Sequence, residues 1–354
     1  MSLTIQFDPS HNSDIINYYY TNYSTCEKQT SYFATWQFLA ISTHSILIIQ
    51  IPLVIFTGYC ILQKTPKVMG SLRWAMLNVH FWSTFMDILL CSLVTPYLIF
   101  PSFAGFPVGL LRALGVPTSF QCYLGYTSIG FMFNSISALF ENRSSSFEMN
   151  RFRFERTFTR LAFFVSSGIV TALLLLPIFF HLPDQNMGKL KTLKYYPCPP
   201  EEFFTGPVFV LITDKFWGYW SGIVLAVQFT WVWCSILFFI SCITYHMYFL
   251  KKVTLSMKTR KLQKTFFIGN LVQISVPSLF WGLPCSCMGL IYYIGYFNQV
   301  LINFGVIVVS LHGVASMISM LLIHAPYRNF VMELVRGVAT RKIAFVSAPA
   351  SLVF

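Results

Sequence analysis

The sequence predicts an all-α membrane protein, built as a bundle of seven transmembrane helices. Only 10% of its 354 residues are charged, whereas a soluble domain carries about 25%. Apolar residues make up 55% of the chain and gather in long stretches without charge. A stretch of about 20 apolar residues can cross a bilayer as a helix. These observations exclude a soluble enzyme, a disordered chain and a nucleic-acid-binding module.

Seven charge-poor stretches define the predicted spans. Each is assigned as a helix because an open strand would leave backbone groups unpaired in lipid. The spans cover residues 36–62, 72–100, 120–140, 161–180, 216–250, 265–293 and 296–323. Residues 265–327 contain no Asp, Glu, Lys or Arg, so a tight turn near Gly295 must divide this segment into two helices. The chain is thus divided into an N-terminal segment (1–35), a membrane domain (36–325) and a tail (326–354).

Basic residues indicate the orientation of the bundle. With the N-terminus outside, three quarters of the 24 lysines and arginines fall on the inner side, in the three inner loops and the tail. The positive-inside rule therefore predicts an external N-terminus and an internal C-terminus. The basic excess is explained by topology, with anionic lipid as its partner rather than nucleic acid. No signal-peptide pattern precedes residue 35, so the first span is expected to insert itself.

Two glycosylation sequons distinguish the two orientations. Asn22-Tyr23-Ser24 lies on the predicted outer side, so Asn22 is expected to carry glycan. Asn142-Arg143-Ser144 also matches the pattern, but the predicted orientation places it inside the cell, where it would stay bare.

One carboxylate, Asp87, lies deep in a predicted span. Charged groups in the membrane are costly and commonly functional, so Asp87 is interpreted as a polar switch facing the bundle. The alternative is a structural, hydrogen-bonded carboxylate. Partners from the seventh span are expected to be Asn303, Ser310 and Ser316. Pro277 should kink the sixth span and provide a hinge.

Catalysis and metal binding are not indicated. An intramembrane aspartyl protease needs two aspartates, and a retinal pigment needs a lysine in the last span, which contains none. There is no phosphate loop, and the histidines lack metal-ligand spacing. No catalytic residue, metal or cofactor is therefore predicted.

Short motifs follow one another along residues 35–330. They are Pro52, Gly58-Tyr59-Cys60-Ile61-Leu62, Lys64-Thr65-Pro66, Leu77-Asn78-Val79-His80-Phe81-Trp82 through Asp87, Gly105-Phe106-Pro107 through Gly115-Val116-Pro117, Phe140-Glu141-Asn142-Arg143, Leu182-Pro183-Asp184-Gln185, Pro197-Cys198-Pro199, Thr259-Arg260-Lys261-Leu262-Gln263, Leu311-His312-Gly313 and His324-Ala325-Pro326-Tyr327-Arg328. Together they resemble the nematode serpentine chemoreceptors of class H, the Srh family.

The resemblance implies a rhodopsin-like G-protein-coupled receptor in the plasma membrane of sensory neuron cilia. Its partners would be a small chemical ligand, a heterotrimeric G protein and membrane lipid, and its oligomeric state is not indicated. A seven-span ligand-gated channel is the first alternative, but it would place the N-terminus inside, against the charge distribution. A transporter is the second, but it would show an internal repeat, and none is present.

The resemblance also suggests which residues couple to the G protein. Glu141, Asn142 and Arg143 are similar to the acid–Arg triplet of rhodopsin-like receptors, although Asn142 is inserted and Ser144 follows. The alternative is a helix-end ion pair of at most about 1 kcal/mol. Tyr327 and Arg328 end the seventh span and are assigned to the same face, and Asp87 and Pro277 are assigned to the switch.

Three cysteines lie outside or near the outer face: Cys26, Cys122 and Cys198. In rhodopsin-like receptors a loop cysteine such as Cys198 pairs with one at the top of the third span. That position is occupied here by Thr118, and Cys122 lies four residues deeper. This departure favours a Cys26–Cys198 disulfide, with Cys122–Cys198 as the alternative.

The ligand site is inferred from helical spacing. If Arg143 faces the bundle, residues one to five turns earlier on the third span face it too. The candidates in the outer half are Gly125, Tyr126, Ile129, Phe216, Trp217, Trp220, Phe280, Trp281, Tyr296, Asn298 and Gln299. Such an aromatic cavity fits a small, mostly uncharged organic molecule. The alternative is that these aromatic residues form an interfacial belt.

Overall fold

The computed structural model describes residues 7–9, 11–27, 30–66, 70–100, 102–249 and 257–346. Its elements, in chain order, are α1 Ser13–Thr21, α2 Trp36–Lys64, α3 Gly70–Ile88, β1 Pro96–Ile99, β2 Ala104–Pro107, α4 Leu110–Ala113, α5 Thr118–Ser145, α6 Thr157–Phe180, α7 Gln185–Tyr195, α8 Glu202–Thr205, β3 Phe209–Val210, α9 Lys215–Thr244, α10 Met257–Ile294, α11 Gln299–Ser310, α12 His312–Ile323 and α13 Ala325–Val346. We call the end of the bundle that carries Trp36 the outer end, following the predicted orientation, and the opposite end the inner end.

The predicted all-α membrane bundle is confirmed. Within the residues that the structure describes, six helical spans are long and apolar enough to cross a membrane by length and composition. The remaining helix of the bundle, α5, has 28 residues but a more polar composition. It packs against α3, α6 and α9, so it occupies the centre of the bundle. Because its surface meets protein on several sides rather than lipid, it tolerates polar side chains that a lipid-facing helix would not.

The end of the second span is predicted incorrectly. Helix α3 continues through a π turn, Leu89–Leu93, and stops there rather than at residue 100. Thr95 has a left-handed φ of +44°, and Pro96 follows it. A proline disfavours helical backbone in the residue before it and has no N–H to extend the helix. Residues 96–99 therefore leave the helix and form strand β1.

Other boundaries shift by a turn or more. Helix α5 runs past the predicted end at residue 140, so Glu141 and Arg143 are helical. Helix α10 is described from Met257, earlier than the predicted start at residue 265. The seventh span begins at Gln299 and is interrupted at Leu311, which separates α11 from α12. The predicted turn at Gly295 is present, with a φ of +69°. The predicted end of the fifth span, residue 250, lies outside the described residues.

A cap covers the outer end, consisting of α1, α7, α8 and the three strands. Strands β1 and β2 form an antiparallel hairpin, in which Tyr97 pairs with Phe106, and β3 adds to β2. Their side chains share one core with aromatic residues of α1 and α8. A disulfide joins Cys26 to Cys198, the pairing that the sequence analysis favours, and Cys122 is free.

The tail begins with a helix at the inner end. Tyr327 of α13 is fully buried, and its hydroxyl lies 2.7 Å from Oγ1 of Thr65 at the end of α2. The ammonium of Lys64 lies 4.0 Å above the ring of Phe330. These contacts hold α13 against the inner end of α2. Arg328, in contrast, is exposed and donates to the carbonyl of Leu322 at 3.1 Å.

Candidate functional site

A buried polar pair lies at the centre of the bundle. Oδ1 of Asp87 on α3 is 3.0 Å from Nδ1 of His312 on α12, and neither residue is exposed. The same His312 nitrogen is 2.8 Å from the carbonyl oxygen of Val309. On its other side the ring stands 3.5 Å from the hydroxyl of Ser83. Asp87 thus ties α3 to the seventh span through a histidine.

The expected partners of Asp87 are therefore incorrect. Asn303 donates instead to the carbonyl of Phe33, just before α2, at 2.9 Å. Ser310 donates to its own helix, and Ser316 lies in the wall of a neighbouring cavity. His312 could have been found from the sequence by the same criterion that identified Asp87, because both are ionisable residues within a predicted membrane span.

Gly313 makes the close approach possible. A Cβ atom added there would overlap the Asp87 carboxylate. The backbone of Gly313 also hydrogen-bonds to that carboxylate. The interruption at Leu311 directs both His312 and Gly313 towards α3, so the break in the seventh span is part of the site.

A small inner cavity adjoins this pair. It encloses about 30 Å³, enough for one or two water molecules. Asp87, Pro277 and Gln273 lie in its wall, together with Asn270. Asn270 is buried, and its side chain has no hydrogen-bond partner in the described part of the chain. The predicted hinge proline, Pro277, therefore lies beside the Asp87–His312 pair. A movement of α10 at this point would alter the surroundings of Asp87.

Within the triplet Glu141-Asn142-Arg143 at the inner end of α5, the acid and the arginine do not pair with each other. Glu141 is buried and forms a 2.9 Å ion pair with Arg160 at the start of α6. Ser145 donates to the other oxygen of Glu141. Arg143 is also buried, and its charge acts on the ring of His324, just after α12. Two residues apart on a helix, Glu141 and Arg143 face different neighbours, so Arg143 is directed into the bundle.

A larger outer cavity lies beneath the cap and encloses about 230 Å³. Its wall is formed by the hairpin and the residues around it, by α5, by β3 and by one residue of α10. The lining residues are Val94, Pro96, Tyr97, Leu98, Phe100, Ser102, Phe103, Ala104, Gly105, Phe106, Pro107, Thr118, Gln121, Cys122, Tyr126, Phe209, Leu211 and Met288.

Of the predicted ligand residues, Tyr126 lines this cavity. Ile129 and Trp281 lie below it, in an apolar layer with Met86, Leu89, Val94 and Met132. We call this group the separating layer, because Val94 also borders the outer cavity and Met132 the inner one. The ring of Trp281 lies 5.7 Å from that of His312, edge to face. The separating layer therefore lies between the outer cavity and the Asp87–His312 pair and borders both.

The other predicted ligand residues lie outside the wall of the outer cavity, although Trp217 and Trp220 share an apolar cluster with Tyr126. Trp217 stacks on His181, and Trp220 donates to the carbonyl of Leu174 on α6. Asn298 caps α11, and Gln299 is buried, donating to Leu98 at 2.9 Å. Phe216 and Tyr296 are exposed, and Gly125 and Phe280 are half-buried outside the cavity wall.

The sequence analysis missed most of the cavity wall, because it continued the second span as a helix through residues that form the hairpin. It also missed Gln121 and Met288, which no charge or aromatic pattern distinguishes from neighbouring helix positions.

Charged groups of the cap are partly or fully withdrawn from solvent: Glu201, Glu202 and Asp8 are half-buried, and Lys189 is buried. Tyr19 donates to Oε1 of Glu201 at 2.7 Å. Burial raises the pKa of Glu202, and a hydrogen bond from Tyr97 opposes that shift. Burial lowers the pKa of Lys189, and the charge of Asp8 opposes it. In the described ranges, no three His, Cys, Asp or Glu side chains come together in a way that could hold a metal ion.

The fold described above is that of a seven-helix serpentine membrane protein. A family model described as "Serpentine type 7TM GPCR chemoreceptor Srh" matches residues 34–337. Serpentine receptor class H-72 of Caenorhabditis elegans is 32% identical over 323 residues, which cover 91% of this chain and 93% of the relative. The chain therefore belongs to the Srh family of serpentine chemoreceptors, a family of multi-pass membrane receptors rather than enzymes.

Proposed function

We propose that this receptor binds a small, mostly uncharged organic molecule at its outer end and activates a heterotrimeric G protein at its inner end. The observation that carries the proposal is the buried Asp87–His312 pair. It joins α3 to α12 between the separating layer and the inner cavity. A buried polar pair of this kind has a small number of well-defined arrangements, as a bistable element requires.

The path from ligand to pair runs through α10. Met288 and Trp281 are seven residues apart and therefore lie on the same face of that helix. Met288 borders the outer cavity, and Trp281 contacts His312. A ligand that displaces Met288 would therefore shift the face of α10 that contacts the Asp87–His312 pair. Pro277, one turn further inward, would let the inner half of α10 move.

Arg143 is the residue we assign to coupling. It is buried beside His324, while Glu141 is held by Arg160. Outward movement of the inner end of α10 would uncover Arg143 for the G protein. The predicted orientation places this end in the cytoplasm, next to the basic inner loops. We also propose that the receptor resides in the plasma membrane of sensory neuron cilia.

The test begins with a screen of volatile and water-soluble organic compounds. Cells that express the full chain are assayed for G-protein nucleotide exchange, and binding is measured on the same membranes. With any compound that activates, Arg143→Ala should abolish exchange and leave binding and surface level nearly unchanged. Arg151→Ala, an exposed basic residue after the same helix, is the matched control and should signal normally.

Pro277→Ala should alter the activation response more than binding, because it restores the backbone hydrogen bond that the proline removes. Normal signalling by Arg143→Ala would contradict its coupling role, leaving the residue a structural part of the helix end. A compound-dependent current without nucleotide exchange would contradict the receptor mechanism itself.

A further inference from the structure

The wall of the outer cavity is almost entirely apolar. Aromatic and aliphatic side chains from the hairpin, such as Leu98 and Phe106, face Met288 of α10 across the space. Among the wall residues that the structure describes, none is Asp, Glu, Lys, Arg or His. An ion placed in such a cavity would lose its hydration without gaining a partner, which is highly unfavourable. The ligand must therefore be uncharged.

Most polar side chains of this cavity lie on one side, along α5. On the hairpin side, the hydroxyls of Ser102 and Tyr97 already donate to the carbonyls of Ile99 and Ala34. Thr118, Cys122 and Tyr126 are spaced four residues apart and form a stripe along α5. The hydroxyl of Tyr126 has no hydrogen-bond partner in the described part of the chain. Gln121 lies beside the stripe and is 1% exposed.

Gln121 holds its carboxamide in a defined orientation. Its Nε2 donates to the carbonyl of Val116 at 2.8 Å. Its Oε1 is buried and has no donor among the described residues. A buried acceptor without a donor is costly, and a donor supplied from the cavity would remove that cost. The free Oε1 of Gln121 can only accept a hydrogen bond, whereas the Tyr126 hydroxyl can either donate or accept one.

We propose that the outer cavity binds a small uncharged apolar molecule, whose single hydroxyl group is recognised by Tyr126 and Gln121. This inference rests on the function proposed above and names the class of its ligand. The volume of about 230 Å³ is below the range of roughly 300–1,000 Å³ typical of sites for drug-sized molecules, so the ligand is smaller than those.

Cys122 allows the cavity to be tested without knowing the natural ligand. Its thiol is free and lies in the cavity wall beside Tyr126. The uncharged reagent methyl methanethiosulfonate converts it to a methyl disulfide: the thiolate attacks the sulfenyl sulfur, and methanesulfinate leaves. The experiment uses the full chain in lipid nanodiscs, and the rate at Cys122 is followed by peptide-resolved mass spectrometry. Cys285, exposed on α10, reports on general reactivity.

Three probes of matched shape are compared: benzyl alcohol, toluene and benzoate. Benzyl alcohol should slow modification of Cys122 at concentrations about two- to tenfold lower than toluene, since it adds one hydrogen bond. Benzoate should give no protection. Modification of Cys285 should be unaffected by all three.

Variants then test the assignment of residues. Tyr126→Phe removes only the hydroxyl and should bring protection by benzyl alcohol close to that by toluene. Tyr219→Phe, in which the hydroxyl belongs to a residue 72% exposed on α9, is the matched control and should behave as the wild type. Met288→Trp should fill the cavity, slow modification of Cys122 and abolish protection, while the rate at Cys285 shows that the fold is retained.

Equal protection by benzoate, an unreactive Cys122, or an unchanged preference in Tyr126→Phe would each overturn the inference. The assay contains no G protein, so its failure is distinguishable from failure of the proposed function. If protection follows the expected pattern and no compound stimulates nucleotide exchange, the site stands and the signalling proposal fails. If Met288→Trp responds undiminished to an activating compound, signalling stands and the ligand binds elsewhere.

Discussion

Replacing Gly313 by alanine tests the central pair directly. The added methyl group would overlap the carboxylate of Asp87, so either the carboxylate or helix α12 must move. Gly313 and Asp87 are both buried, and His312 beside them is not exposed either. The substitution is otherwise favourable, because alanine is the better helix former by about 1 kcal/mol.

The expected cost follows from two effects. Forcing a methyl group into a packed core costs about 1–3 kcal/mol. Displacing the carboxylate from Nδ1 of His312, 3.0 Å away, removes a buried polar contact, about 1.5–3 kcal/mol. After the gain in helix propensity is subtracted, Gly313→Ala should lower the free energy of unfolding by about 2–5 kcal/mol.

The matched control is Gly289→Ala on α10, where an added Cβ would meet nothing within 4 Å. That variant should be neutral or slightly stabilised. Unfolding by SDS in mixed micelles measures both variants against the wild type. The same glycine substitution is then repeated in an Asp87→Ala background, where the methyl group no longer meets a carboxylate. The two substitutions should be coupled by about 1–3 kcal/mol. A Gly313→Ala variant as stable as Gly289→Ala, or an equal cost in both backgrounds, would refute the close packing of α12 on Asp87.

Two further predictions concern the outer end. Asn22→Gln should abolish the gel shift that glycosidase treatment produces in the full-length protein, whereas Asn142→Gln should leave it intact; the reverse result would invert the topology and remove the basis of the receptor proposal. Cys198→Ser should strongly reduce surface expression, because a disulfide contributes about 2–4 kcal/mol. Cys26→Ser should reproduce that loss, since these two cysteines are joined, and Cys122→Ser should not. A loss seen with Cys122→Ser alone would instead favour the pairing usual in rhodopsin-like receptors.

Local composition was sufficient to predict the helical bundle. The absence of charge over residues 265–327 and the glycine near its middle were enough to separate the last two spans correctly. Charge and hydropathy act along the chain, and a bilayer imposes the same length requirement on every span. The prediction succeeded where each segment could be judged by itself.

It failed where a segment depends on distant neighbours. Residues 96–99 are apolar enough to continue a membrane helix, but they form a strand because they pair with residues 104–107 and join the core of the cap. The predicted ligand residues do not converge on the outer cavity as a set, for a related reason. Helical spacing indicates which side chains share a face, yet not which helix that face meets, so only Tyr126 lines the cavity.

By itself, the sequence determined the class of the protein, the presence of its membrane helices and the intramembrane acid, because each follows from the cost of placing charge and unpaired backbone in lipid. Tertiary structure alone decided what that acid contacts. His312 lies more than two hundred residues from Asp87 along the chain, and its approach depends on the interruption at Leu311 and on a glycine that leaves room for the carboxylate. Such a contact depends on how two helices pack, and no property of either segment taken alone specifies it.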